Sequence, residues 1–183
     1  MLIQPAPHFE PPPAPSAAFR QLLAGVDGAV RGARHPQELL DGVTGSLREV
    51  ILKRDLLTDA QKLPDPVRYR QHLLHVAEDG LYSIVSLVWL PTQETPVHDH
   101  LSWCVVGVHQ GIERETSYRC VGGDCLTELG QGLNPAGTVV GLLPPADIHK
   151  VANGGEDLAI SLHVYGADLS RCGSSILRKY PAN

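Results

Sequence analysis

The chain has 183 residues, 43% of them hydrophobic and 19% charged, a balance that suits one globular domain with a buried core and excludes disorder for most of its length. Lys and Arg number 15 against 20 Asp and Glu, with a net charge of -5 and no basic run, so nucleic acid and anionic membranes are not expected partners. The longest apolar stretch, around Leu81 to Gln93, is interrupted by polar residues and falls short of the roughly 20 residues that a bilayer-crossing helix needs. The first residues have neither the basic start nor the apolar block of a secretory signal, which sets a cytoplasmic expectation. Four cysteines are too few for a disulfide scaffold.

Residues 1–15 are rich in proline and poor in pattern, and an extended arm is expected there. From Ser16, a fitting N-cap, Phe19, Leu22, Leu23, Val26 and Val30 recur at the helical period. Pro36 then opens a second helical pattern through Leu39, Leu40, Val43, Leu47, Val50 and Ile51. After Pro64-Asp65-Pro66 the texture changes to short β-type runs separated by Gly, Pro, Asn and Asp. They are Tyr69–His75, Tyr82–Leu90, Trp103–His109, Glu113–Tyr118, Leu126–Leu129, Thr138–Leu142, His149–Ala152 and Leu158–Tyr165. About eight short strands at hairpin spacing predict a mainly β barrel, over 67–183, with a helical lobe over 16–66 packed on it.

The strongest local signal is Pro96-Val97-His98-Asp99-His100. Side chains two apart on an extended segment share a face, so His98 and His100 can reach one metal while Asp99 points away. The best third imidazole is His149, which follows a Pro-Pro turn. Three imidazoles suit iron, zinc, copper or nickel, and spacing does not choose among them. In Ile160-Ser161-Leu162-His163-Val164-Tyr165, Ser, His and Tyr alternate on one face and apolar residues on the other. Polar groups turned into a barrel need partners, and a hydrogen-bonded relay supplies them.

The run His98-Asp99-His100, Cys104, Gly111, followed by Pro144, His149 and Asn153, resembles the two motifs of the cupin superfamily, whose fold is a double-stranded β-helix barrel. It departs from them in lacking a Gly six residues before His98 and in carrying Ala146 where Gly is usual. Cys104 stands where most cupins have a glutamate ligand, and in this it is similar to the thiol dioxygenase branch, in some members of which the equivalent cysteine forms a thioether with an active-site tyrosine. Ser161, His163 and Tyr165 resemble that branch's triad. Tyr69-Arg70-Gln71-His72-Leu73-Leu74, the block from Tyr82 to Trp89 and His163-Val164-Tyr165-Gly166 resemble bacterial members, including the 3-mercaptopropionate type, and the likeness spans roughly residues 67–168.

The resemblance implies Fe(II) held by His98, His100 and His149, with dioxygen and a small-molecule thiol as the other partners and a sulfinic acid as product. Tyr165, aligned by His163 and Ser161, and Cys104 complete the implied catalytic group. The cysteine-specific branch has a carboxylate-binding arginine at the position of Gln71, so free cysteine is not the expected substrate. The compensating arginine of the mercaptopropionate branch falls at Ser174 here, with Arg171 and Arg178 nearby. Tyr69, Gln71 and, if it faces inward, Arg70 are the expected substrate-binding residues. Either 3-mercaptopropionate or a bulkier thiol or thione such as ergothioneine fits. A non-catalytic metal- or ligand-binding cupin and a zinc or nickel hydrolase or isomerase are the competing readings.

Overall fold

The computed structural model describes residues 14–122, 125–145 and 147–181. Most of the expected arm, together with Gly123, Asp124 and Ala146, lies outside them. Ser16 caps the first helix, α1 (Ala17–Gly32), its hydroxyl accepting from the Phe19 N–H at 3.0 Å. The second, α2 (Pro36–Arg48), begins with Pro36 and is capped by the His35 ring, which accepts from the Glu38 N–H at 3.3 Å. The apolar pattern predicted α2 to reach Ile51, but the helix ends at Arg48. Val50 and Ile51 both donate to the Leu47 carbonyl in the tighter turn that follows, and still bury their side chains.

Ten strands follow: β1 (Arg70–Val76), β2 (Ser83–Trp89), β3 (His98–His100), β4 (Cys104–Gln110), β5 (Ile112–Gly122), β6 (Cys125–Pro135), β7 (Val139–Leu142), β8 (His149–Asn153), β9 (Ala159–Tyr165) and β10 (Ile176–Lys179). A short helix, α3 (Leu169–Cys172), separates the last two. Three features differ from the expectation. His98–His100 is a strand of its own, β6 is much longer than the four residues predicted, and β10 was not foreseen. β10 and β6 are the two edge strands of a single sheet and are mostly exposed, so no alternation of apolar residues marks them. Cys120 and Cys125 lie on β5 and β6.

All pairings are antiparallel, in two sheets of order β1-β2-β9-β4-β7 and β10-β3-β8-β5-β6. The middle strands are β9 in one and β8 in the other. Every residue of β9 is buried. Ile160, Leu162 and Val164 pack with Leu22, Val26, Leu40, Val43 and Leu47 of the two helices, while Tyr165 joins the second cluster with Trp89, Cys104 and Val151. The helical lobe thus covers the outer face of the first sheet and leaves that strand's polar residues for the barrel interior. This is a mainly β double-stranded β-helix barrel with an N-terminal helical lobe. Gly111 turns β4 into β5 at φ +75°, where a Cβ would stand 2.7 Å from the Leu158 carbonyl oxygen, so the turn admits only glycine. No helix among the described residues is long and apolar enough to cross a membrane.

Leu47 is fully buried where α2 meets the barrel. Leu47→Ala is expected to lower unfolding stability by about 2–5 kcal/mol in urea titration.

Candidate metal centre

Strand β3 is three residues long and is held on both edges, by β8 and by β10. Its alternation sends His98 and His100 into the barrel. Asp99 faces the other way, where its carboxylate accepts from the Tyr180 hydroxyl at 2.9 Å. His98 pairs directly with His149 across the β3–β8 ladder. The three imidazoles are buried, their ring centroids are 4.7 to 5.0 Å apart, and one nitrogen of each lies within 4.8 Å of the others.

Each ring is turned by an acceptor at its Nδ1. For His98 this is the Pro96 carbonyl at 2.9 Å, for His100 the Asp147 carboxylate at 2.9 Å, and for His149 the Glu115 carboxylate at 2.7 Å. A carbonyl or carboxylate can only accept, so the proton sits on Nδ1 and the Nε2 lone pair is free. Burial, and then the adjacent His149 ring, push His98 down to about 3, which keeps it neutral. Burial is the largest single influence on the Asp147 carboxylate and raises it, but the His100 hydrogen bond and charge together with two backbone N–H groups hold it below its ordinary value. The bond from His149 does the same for Glu115. Asp147 Oδ1 is buried with no hydrogen-bond partner among the described residues, a cost that nearby positive charge would offset. Neutral imidazole donors backed by two carboxylates fit a divalent transition metal.

Across the barrel, β9 supplies the facing wall. The Tyr165 hydroxyl lies 2.9 Å from His163 Nδ1, and His163 Nε2 lies 2.9 Å from the Ser161 hydroxyl. The Trp89 indole N–H donates to Ser161 at 3.3 Å. Burial, reinforced by the three imidazoles, keeps His163 far below its ordinary value, and burial raises Tyr165 far above its own. The ring of Tyr165 is 6.0 Å from that of His100. Cys104 is fully buried, pairs directly opposite Tyr165, and is kept a neutral thiol by burial.

The three imidazoles, His163 and Tyr165 line one cavity of about 30 Å³. Tyr69, Gln71 and Ser174 line it too, with Tyr69 stacked on Trp89 at 4.6 Å. Arg70 does not. One step along β1 from Gln71, it faces the other side of the strand and is not in the cavity wall, so the inward orientation on which its expected substrate-binding role depended is not met; both residues are exposed. Arg171 is exposed on α3, and the Arg178 guanidinium lies over the Tyr180 ring. Among the described residues, no arginine or lysine lines this cavity.

Asp147, Glu113 and Glu115 were not singled out from the sequence. A signal was available for two of them. Glu113 and Glu115 alternate in step with the polar residues of a strand, and in a barrel holding imidazoles such a pair faces the site. The role of Asp147 depends on how the chain folds back toward β3, and no spacing encodes that.

No family model matches the sequence. Several solved structures resemble it in fold. A cupin 2 conserved barrel domain protein from Salinispora arenicola is 19% identical over 60% of this chain and 84% of its own, with a TM-score of 0.45. A conserved protein with a double-stranded β-helix domain from Klebsiella pneumoniae is 20% identical over 66% of this chain and 94% of its own, at a TM-score of 0.46. Oxalate decarboxylase from Bacillus subtilis is 17% identical over 60% of this chain but only 28% of its own, at 0.47. These are likenesses of cupin architecture, and the chemistry of this chain is argued from its own residues.

His98→Ala or His149→Ala is expected to abolish tight binding of a divalent metal. Asp147→Asn or Glu115→Gln should weaken it about 10–100-fold, because the ring stays but loses its charged anchor. Competition with a metal-binding dye measures both.

Proposed function

We propose that the protein is a non-haem iron thiol dioxygenase that adds both atoms of dioxygen to a thiol sulfur and releases a sulfinic acid. The observation that carries this reading is the placing of three inward imidazoles and the Tyr165–His163–Ser161 chain on opposite walls of one cavity. The reaction balances without an outside reductant, since the sulfur gives up the electrons that dioxygen accepts, and the thiol proton ends on the product. Iron(II) at His98, His100 and His149 would supply the redox chemistry and favour the thiolate form of the substrate.

The chain's own residues bind, orient and exclude. Pro96, Asp147 and Glu115 fix the three ring planes, so the open side of the site faces β9. Tyr165 stands at that side with its ring held by packing and its hydroxyl by His163, able to offer a hydrogen bond to a polar atom of the substrate. The cavity is close to the size of a water molecule, so it takes only the reacting atoms and the groups next to them, with Tyr69, Gln71 and Ser174 in its wall. Those groups recognise by hydrogen bonds and an aromatic face, with no cationic clamp for a carboxylate. That favours a thiol or thione whose tail carries no net negative charge, ergothioneine being one example, over 3-mercaptopropionate.

The test is oxygen uptake by iron-loaded protein with 3-mercaptopropionate, cysteamine and ergothioneine, with the products identified by mass. One sulfinate per dioxygen is expected, with a higher kcat/KM for the substrates without net negative charge. Failure of every thiol and thione in the panel to drive oxygen uptake rejects the reading. Tyr165→Phe should retain iron and lose about 10–100-fold in kcat, the usual cost of removing an outer hydrogen-bonding group.

A further inference from the structure

The cavity at the imidazoles, about 30 Å³, has room for a sulfur atom and little of the tail behind it, so a thiol with a tail of several atoms is seated only if part of the wall moves. Most of that wall is fixed. Leu87, Trp89, Val151, His163 and Tyr165 stand on β2, β8 and β9 and are buried. Gln71 lies on an edge strand, β1, but that strand is paired with β2 along its whole length, and Tyr69 before it is stacked on Trp89. Ser174, Ser175 and Ile176 differ, because they lead into β10, a short edge strand that is paired only with the three residues of β3.

We propose that the stretch from Ser174 to Tyr180 is a strap over the metal centre, latched by the Tyr180 hydroxyl on Asp99, and that it lifts from β3 to admit the substrate. Its hinge is Gly173, which ends α3 at φ +73° with no atom within 4 Å of where a Cβ would stand. Its seam is the edge of β3. The Leu101 N–H donates to the Ser175 carbonyl at 2.8 Å and the Tyr180 N–H to the Val97 carbonyl at 2.9 Å, one bond at each end of that strand. Between them Ile176, Arg178 and Lys179 lie opposite His100, Asp99 and His98, with a slip of register after Ile176. Leu177, Arg178 and Lys179 are exposed, so little apolar burial resists lifting.

The far end is where the strap is fastened. Tyr180 is buried, its hydroxyl donates to Asp99 Oδ2 at 2.9 Å, and the Arg178 guanidinium lies 5.5 Å over its ring. Asp99 Oδ1 is buried with no hydrogen-bond partner among the described residues, so the carboxylate depends on that one hydroxyl. A hydrogen bond to an ionised acceptor is stronger than a neutral one, which makes this contact the latch. Lifting the strap leaves the metal ligands in place. Pro96, Asp147 and Glu115, which hold the three rings, are not on it, and β3 stays tied to β8 through the His98–His149 pair. The strap stands on these contacts, while the identity of what it admits as a thiol rests on the function proposed above.

The experiment loads full-length protein with cobalt(II) under nitrogen and follows the binding of azide and of 2-mercaptoethanol by stopped-flow absorption. Tyr180→Phe, which removes only the hydroxyl, is expected to raise the association and dissociation rates of the thiol about 10–100-fold each, with Kd nearly unchanged, and to leave those of the smaller azide as they were. Asp99→Asn, which keeps an acceptor but not its charge, should fall between wild type and Tyr180→Phe. Hydrogen exchange checks the seam without a metal: the Leu101 and Tyr180 amides should exchange faster than those of β9, and faster again in Tyr180→Phe. Thiol rates that do not move, thiol and azide rates that rise together, a thiol that never binds, or seam amides as slow as those of β9 overturn the proposal. Because cobalt reads binding and not turnover, a strap that gates the thiol in a protein that oxidises none upholds the proposal and removes only the function above.

Discussion

Two-residue alternation along β9, with burial on both sides, is the constraint on which the rest of the structure depends. A strand in the middle of a sheet has no solvent face unless one is left open, and here the two helices close the outer one. Leu22 and Val26 of α1 and Leu40, Val43 and Leu47 of α2 cluster with Ile160, Leu162 and Val164. The inner positions carry Ser161, His163 and Tyr165. Buried polar groups of this kind are tolerated only when bonded to one another, and their spacing along the strand makes each the partner of the next. The helical lobe therefore contributes to the site without touching it, by fixing which face of β9 looks inward.

The opposite wall follows a different logic, that of charge. Three neutral imidazoles carry no net charge, but Asp147 and Glu115 sit behind two of them and are held as carboxylates. Their charge reaches the interior through the Nδ1–H bonds, which make the Nε2 lone pairs more basic. Two carboxylates behind neutral donors balance a divalent ion, whereas two directly at the metal would leave less attraction for an anionic substrate.

The sequence made legible whatever depends on local period. Ser16 and Pro36 marked the helix starts, the HxH spacing marked two inward rings, and the Ser161–His163–Tyr165 alternation marked a strand with two unlike faces. What escaped was set by pairing across the sheets. β6 and β10 lie at sheet edges, mostly in water, and their residues carry no contrast between faces. The carboxylates behind His100 and His149 come from chain segments 47 and 34 residues away, so only the register of the fold identifies them. Arg70 illustrates the same limit at short range: one step along β1 from Gln71 takes a side chain out of the cavity wall.

Cys104 completes the electrostatic argument. In the motif that the chain resembles, this position supplies an anionic ligand, and here burial keeps the thiol protonated and therefore neutral. It stands beside Tyr165, whose own ionisation burial also suppresses. The groups that border the imidazoles from the β9 side are thus uncharged, and the two carboxylates are set back behind nitrogen. In the proposed reading the substrate brings the one anion that meets the metal directly, and the absence of a cation among the described cavity residues leaves nothing to hold a second one. In that reading the site would select a thiolate at its centre and, by the same arithmetic of charge, a tail without net negative charge at its rim.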